Sequence, residues 1–252
     1  MTSERIWTAA LMVIGDEILS GRTQDKNIAQ VAKWLNLQGI RLTEVRVIPD
    51  VAEAIGETMI ALKARHDYLF TTGGIGPTHD DITVDAIAAA LNVSVVVHPQ
   101  AREMLEDHYR TRGGLTDARL RMARVPDGAE LIVNRASGAP GIRFGNIFIL
   151  AGVPEVAGIM LEGLSGQLEG GKPMLSRTIG AWARESEVAD LLRETEQRND
   201  GAQIGSYPFF RDGKVGANFV VRSTDATIVE RCIATIADGL VALGYDPVWD
   251  GI

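Results

Sequence analysis

Residues 8–14 (TAALMVI) form an unbroken apolar run closed by Gly15, the pattern of a strand buried on both faces. Asn27–Leu37 places Ile28, Val31, Ala32, Leu35 and Leu37 at helical spacing, and Gly39 can end that helix. Residues 41–48 alternate like a strand around Leu42, Val45 and Val47, and Pro49-Asp50 stops it. Residues 51–64 are helical again through Ala54, Ile55, Met59 and Leu62. Tyr68–Thr72 is a short strand running into Gly73-Gly74, residues 82–91 a helix, and residues 93–97 another strand. Strand and helix thus alternate at least three times in the first hundred residues, which predicts right-handed crossovers and a parallel sheet covered on both faces.

Residues 100–124 read as a charged, helical excursion interrupted at Gly113-Gly114. Residues 142–150 hold one or two strands around Gly145-Asn146, and residues 155–164 a helix. The composition then breaks at residues 165–173, a glycine-rich stretch ending in Pro173. Beyond it the order is strand (175–179), helix (185–196), two strands (203–209 and 215–221) and helix (226–243). That order predicts a small α+β domain with an antiparallel sheet. The expected domains are therefore 1–168, an α/β layered domain, and 173–252. No internal repeat or low-complexity segment interrupts either one.

Composition narrows the function classes. The 252 residues are 46% hydrophobic and 23% charged, ordinary for a globular chain. The formal net charge of −8 speaks against a nucleic-acid or anionic-membrane partner, whose affinity would come from a basic face. A phosphorylated small ligand stays open, because backbone N–H groups, helix N-termini or a metal can hold an anion. Cys232 is the one cysteine, so a multi-thiolate zinc site is excluded and a reducing compartment is expected. The first residues lack the basic start and cleavage site of a signal peptide. No apolar stretch approaches the roughly 18–20 residues of a membrane span. The expected localisation is cytoplasmic.

The run T-T-G-G-I-G-P-T-H-D-D-I-T-V-D from Thr71 to Asp85 leaves one predicted strand and opens a predicted helix. Its glycines allow close backbone approach to a ligand, and the helix start favours phosphate. Such a loop lies at the carboxyl edge of an open α/β sheet, where ligands bind. The spacing fits neither a P-loop nor a dinucleotide G-x-G-x-x-G fingerprint. The alternative is a tight turn in which Asp80 or Asp81 caps the helix. One cap needs one aspartate, however, and the run carries Asp80, Asp81 and Asp85.

Carboxylates beside phosphate call for a cation, and Mg²⁺ typically takes one or two of them together with phosphate oxygens. Gly15-Asp16-Glu17 leaves the first strand and Pro49-Asp50 the second, both at the same sheet edge. Asp16, Glu17, Asp50 and Asp81 could share one cleft. Asn134 to Gly141 (NRASGAPG) and Ala151 to Glu155 (AGVPE) are further loops, open between ligand contacts and turn punctuation. A lone His79 is most simply incidental.

Together these segments resemble the molybdopterin-binding-like domain shared by the MoaB, MogA and CinA families, with the amino-terminal region of CinA the nearest pattern. The resemblance rests on G-D-E-I-L-S-G from Gly15, on Asn27 and Pro49-Asp50, and on the Thr71 run. It extends to G-A-P-G from Gly138, G-V-P-E from Gly152, and Gly180, Glu185-Ser186 and I-G-S-Y-P from Ile204 in the second half. It implies a three-layer α/β/α fold with a mostly parallel sheet followed by a small α+β domain. By resemblance, relatives bind molybdopterin or adenylylate it with ATP and Mg²⁺. The CinA branch hydrolyses the pyrophosphate of ADP-ribose-like dinucleotides with a divalent metal, and a related FAD-synthase domain acts on FAD.

The expectation drawn is a metal-dependent (Mg²⁺, Mn²⁺ or Co²⁺) nucleotide pyrophosphatase releasing AMP from ADP-ribose or a similar dinucleotide. The alternative is a molybdopterin-binding protein or a molybdopterin adenylyltransferase. Asp81 and Asp50 are the expected catalytic acids, with Asp16 joining them as metal ligands. Backbone N–H groups of Gly73, Gly74 and Gly76, with Thr78, would hold the diphosphate. Gly15, Asp16, Glu17, Asn27, Pro77, Asp80, Gly138, Pro140 and Gly141 complete the expected ligand contacts. A homodimer or homotrimer is implied, and the nicotinamide-mononucleotide deamidase domain of full-length CinA is not expected.

Overall fold

The computed structural model describes residues 5–134 and 137–252. The chain divides into two compact units, Met1–Gly171 and Lys172–Ile252.

In the first unit, β1 (Trp7–Ile14) leads through the single-turn α1 (Asp16–Leu19) into α2 (Asn27–Leu37) and β2 (Ile40–Ile48). Then come α3 (Ala52–Lys63), β3 (Tyr68–Thr72), α4 (Thr83–Ala90) and β4 (Val95–Val97). A mainly helical segment of α5 (Pro99–Tyr109) and α6 (Asp117–Leu120) follows, then β5 (Arg124–Pro126) and β6 (Glu130–Ile132). A hairpin of β7 (Gly141–Phe144) and β8 (Ile147–Leu150) precedes α7 (Pro154–Gly163).

The six-stranded sheet runs β2-β1-β3-β8-β7-β6. Its first four strands are parallel, β7 runs antiparallel to β8, and β6 pairs antiparallel with β7. The unbroken apolar run of β1 explains its central place, since its side chains alternate between two cores. Ala9, Leu11 and Val13 pack with Val31 and Leu35 of α2 and with Ala157, Met160 and Leu161 of α7. Ala10, Met12 and Ile14 pack on the other face with Ile55, Met59 and Leu62 of α3 and with Val84 and Ile87 of α4. The result is three layers, helix–sheet–helix.

One expected strand changes place. Residues 95–97 do not extend the parallel sheet; they pair antiparallel with β5 in a separate two-stranded ribbon. Val96 and Val97 are exposed there, whereas a central parallel strand must be buried on both faces. The end of the expected linker also belongs to the first unit. Gly171 N–H donates to Gly39 O at 3.0 Å, and Glu169 N–H donates to the Tyr68 hydroxyl at 3.1 Å.

The second unit contains β9 (Leu175–Ala181), α8 (Glu185–Gln197), β10 (Gln203–Arg211), β11 (Lys214–Ser223), α9 (Ala226–Ala242) and β12 (Val248–Trp249). Its antiparallel sheet runs β10-β11-β9-β12. Ile179, Ala217, Phe219 and Val221 bury one sheet face against Val188 and Leu192 of α8 and against Val229, Ile233, Ile236 and Leu240 of α9. The Asp225 carboxylate caps α9 by accepting from Thr227 N–H at 2.8 Å, and Cys232 is buried. No described helix is long and apolar enough to cross a membrane.

Candidate functional site

The strands β1, β2, β3 and β8 are parallel, so the loops leaving them emerge at one edge of the sheet. They enclose a cleft of ≈ 570 Å³ between Ile14-Gly15, Asp50, Gly73–Pro77 and Ala151–Pro154. Its walls are largely apolar, with Ile75, Met122, Val153, Val156 and Met160 among them. Glu17, Asp50, Asp80 and Asp81 supply charge, and among the described residues no Lys or Arg lines it.

The glycine loop is locked in place by its neighbours. Gly73 and Gly74 have φ of 102° and 67°, a left-handed region that a side chain would strain. Gly73 N–H donates to Leu150 O, Thr83 N–H donates to Gly74 O at 3.0 Å, and the Thr83 hydroxyl donates to Gly73 O at 2.9 Å. The Asp81 carboxylate accepts from Thr78 N–H at 2.7 Å and from the Thr78 hydroxyl at 2.6 Å, closing the tip.

Neither Asp80 nor Asp81 caps α4. Its N-cap is Ile82, without a side-chain bond, so the aspartate works inside the turn preceding the helix. Asp85 is a structural partner, held by both terminal nitrogens of the Arg124 guanidinium, one of them at 3.0 Å. The Gly73 N–H and both Thr78 donors are thus already used, which removes them from the expected diphosphate cradle and leaves Gly74 and Gly76.

The acids are distributed unevenly. Asp50 and Glu17 line the cleft, while Asp16 does not; its backbone N–H donates to the Asp50 carboxylate at 2.9 Å. Partial burial pushes the Asp50 carboxyl above its usual range, and the charges of Asp16, Glu17 and Asp80 push the same way against that hydrogen bond. Asp81, Asp50 and Asp16 are not brought together as a three-ligand set. Among the described residues no group of three acidic, His or Cys side chains is arranged to hold a metal. A cation taking one or two carboxylates, with ligand oxygens completing its shell, does fit a cleft whose charged lining is acidic among the described residues.

The later loops divide likewise. Ser137 and Ala139 line the cleft, held by the Asn134 amide, which donates to the Ser137 hydroxyl at 2.6 Å and to Ala139 O at 2.8 Å. Gly138 packs against the His108 side chain, and Pro140 faces a neighbouring crevice with Gly74, Asp81 and Arg121. Gly141 is buried in β7 beside Met160 and does not reach the cleft. Arg135 and Ala136 lie outside the described residues. His79 is fully exposed and forms no wall of the cleft.

Asn27 opens α2, and its Nδ2 donates to Gly152 O at 2.8 Å. It lines a smaller recess of ≈ 60 Å³ that shares Ile14, Glu17, Thr23, Gly152 and Pro154 with the main cleft. Sequence reasoning missed Thr23, Thr72, Met122 and Met160 as lining residues. Thr72 carried a usable signal, a polar residue at the buried end of β3 just before the glycines. The two methionines carried none, because apolar spacing cannot separate a cleft wall from a core.

The family described as a probable molybdopterin binding domain matches residues 10–170, and the FAD synthase middle domain matches residues 173–244. A protein of Pyrobaculum calidifontis is 34% identical over 211 residues, covering 80% of each chain. A CinA-like protein of Citrifermentans bemidjiense is 36% identical over 193 residues, 73% of this chain and 46% of that protein. The crystal structure of a CinA protein of unknown function from Thermoplasma acidophilum superposes with a TM-score of 0.60 at 30% identity, covering 64% of this chain and 98% of the other. The chain belongs to the molybdopterin-binding-domain family, in which its first unit is a CinA-like amino-terminal region.

Proposed function

We propose that the first unit binds a phosphorylated pterin of the molybdopterin type in the cleft at the sheet edge. The observation that carries this reading is the pairing of a largely apolar cleft of ≈ 570 Å³ with a glycine loop at its floor, inside the segment matching the family. Ile75, Val153, Val156 and Met160 suit the faces of a flat heterocycle. The backbone at Gly74–Gly76 suits a phosphate, because peptide N–H groups bind an anion without a net positive charge. Glu17, Asp50, Asp80 and Asp81 would repel that phosphate unless a divalent cation such as Mg²⁺ sits between them, so Asp50 and Asp81 are the side chains that would hold it. Bound there, the cation supplies charge neutralisation of the phosphate.

The test is equilibrium binding of molybdopterin released anaerobically from a molybdoenzyme, followed by pterin fluorescence with and without Mg²⁺. Saturable binding that strengthens with Mg²⁺ supports the reading. No binding at protein concentrations up to the millimolar range overturns it.

One observation favours a second reading, a metal-dependent nucleotide pyrophosphatase acting on ADP-ribose or FAD. Four carboxylates line the cleft and the Asp50 carboxyl is shifted upward, as suits a group that orients water or metal beside a diphosphate. Asp50 would position the attacking water, and Asp81 would hold the cation with the diphosphate. AMP release from ADP-ribose or FAD, lost in Asp50→Asn, would favour this reading over simple binding. ATP consumed only in the presence of the pterin would instead point to adenylylation.

A further inference from the structure

Two residues that line the recess beside the cleft carry a buried polar atom with no partner among the described residues. Asn27 is 4% exposed and Thr72 is 1% exposed, and both line the recess. Donation from Asn27 Nδ2 to Gly152 O fixes the amide, so its Oδ1 faces away as an acceptor. Neither that Oδ1 nor the Thr72 hydroxyl has a hydrogen-bond partner among the described residues. Folded proteins rarely leave such atoms unmatched, because each costs the full desolvation of a polar group. Thr71 Oγ1 is also unpartnered but does not line the recess.

Two unmatched acceptors on residues that line one recess of ≈ 60 Å³ call for a ligand that brings N–H donors to both. The recess opens from the cleft at Ile14, Glu17, Thr23, Gly152 and Pro154, so one edge of a heterocycle lying in the cleft can enter it. We infer that Asn27 Oδ1 and Thr72 Oγ1 form a specificity subsite that reads an amino-substituted edge of the bound heterocycle. This rests on the pterin reading above and adds which edge is read and by what. An exocyclic amine donates to Asn27 Oδ1 and the adjoining ring N–H donates to the Thr72 hydroxyl. A ring with a carbonyl in place of the amine sets an oxygen against Asn27 Oδ1 and is rejected, because a site built around hydrogen bonds discriminates strongly against a ligand that cannot make them.

The experiment compares calorimetric binding of pterin (2-amino-4-oxopteridine) and lumazine (2,4-dioxopteridine) to the intact chain, to Thr72→Val and to Thr71→Val. The expected result is pterin preferred by about tenfold or more in the parent and in Thr71→Val. Thr72→Val should weaken binding of both compounds by about fivefold or more while the preference for pterin persists, because the ring N–H that donates to Thr72 is common to the two. The variant is expected to melt no lower than the parent because a buried unmatched hydroxyl has been replaced by a methyl. Equal affinity of the parent for both compounds means that the recess holds only ordered water, and overturns the subsite while leaving the pterin reading intact. Unchanged pterin affinity in a folded Thr72→Val has the same consequence. Binding of neither compound sinks the pterin reading itself, and the subsite with it.

Discussion

The backbone N–H of Asp16 donates to the Asp50 carboxylate at 2.9 Å, tying the exit of β1 to the exit of β2. The bond positions Asp50 at the cleft wall but does not offset its surroundings. Burial and the charges of Asp16, Glu17 and Asp80 together raise its pKa. A carboxyl whose folded pKa lies above its unfolded value binds extra protons when folded. Its contribution to stability therefore falls as pH rises from the ordinary aspartate range through the raised value. Asp50→Asn keeps a side-chain oxygen to accept from Asp16 and removes the unfavourable charge. It is expected to raise stability at pH 7 by less than about 1 kcal/mol after solvent screening, with the gain vanishing near pH 4. Any divalent-cation dependence of ligand binding should weaken in the same variant. Thermal melts from pH 4 to 8 check the first part, and a loss of stability at pH 7 would contradict the electrostatic account.

Asp81 does its structural work through Thr78, accepting from both the backbone and the hydroxyl. Removing the carboxylate leaves those donors without a partner and frees the tip of the glycine loop. Asp81→Ala is expected to cost about 1 kcal/mol, the usual magnitude for losing a local capping acceptor. Asp81→Asn retains an accepting oxygen and should recover most of that stability while losing the charge. If ligand binding tracks loop order, Asn should bind better than Ala; if it tracks charge, both should fail alike. Chemical denaturation and ligand titration on the two variants separate the two roles.

Much of the fold was legible because its signals were local. The unbroken apolar run of β1 marks a strand buried on both faces, and the spacing in α2 marks a helix with one buried stripe; both appear at the expected positions. What failed was pairing. Val95–Val97 has strand composition whichever sheet it joins, and only contact with Arg124–Pro126, far along the chain, sends it into a separate ribbon. The loops that meet at the sheet edge follow from parallel topology, which explains why Glu17, Asp50 and the Gly73–Gly76 loop share one cleft. Which atoms in those loops remain available does not follow. The Gly73 N–H bonds across to Leu150 O, and the Asp85 carboxylate faces Arg124, choices made by residues distant in sequence.

Gly73 sits against the end of β1. An added Cβ would lie 2.1 Å from Ile14 O, and the φ of 102° is itself costly for any residue with a side chain. Both objections concern backbone, which cannot swing aside as a flexible side chain would. Gly73→Ala is expected to destabilise the first unit by roughly 2–4 kcal/mol, combining backbone strain with a steric clash. Gly21, which also has positive φ but has nothing within 4 Å of its added Cβ, serves as the control. Gly21→Ala should cost only about 1 kcal/mol. Equal urea midpoints for the two variants would refute the close-approach argument.

Asp67, on the turn before β3, reaches back to the start of β1. Its carboxylate accepts from Thr8 N–H at 2.8 Å and from the Thr8 hydroxyl at 2.9 Å, while Arg5 pairs with the other oxygen at 2.6 Å. Burial alone would raise this carboxyl, but the bonds from Thr8 and the Arg5 guanidinium outweigh it and hold the pKa below the ordinary aspartate range. The sign is opposite to that of Asp50. A depressed carboxyl contributes stability that is fully present above the unfolded pKa and is lost as pH falls through the folded value. The site is partly open to solvent, with the Asp67 side chain 21% exposed and Arg5 62%, so the discounted contribution at pH 7 is about 1 kcal/mol. Asp67→Asn should therefore lower the urea midpoint at pH 7, and its deficit should shrink steadily below pH 4 as the parent's own carboxylate protonates. Arg5→Ala, which leaves both Thr8 bonds in place, should show a smaller loss over the same range. A deficit in Asp67→Asn that stays constant from pH 7 to pH 3 would mean that the amide fails for reasons of shape, with charge contributing nothing.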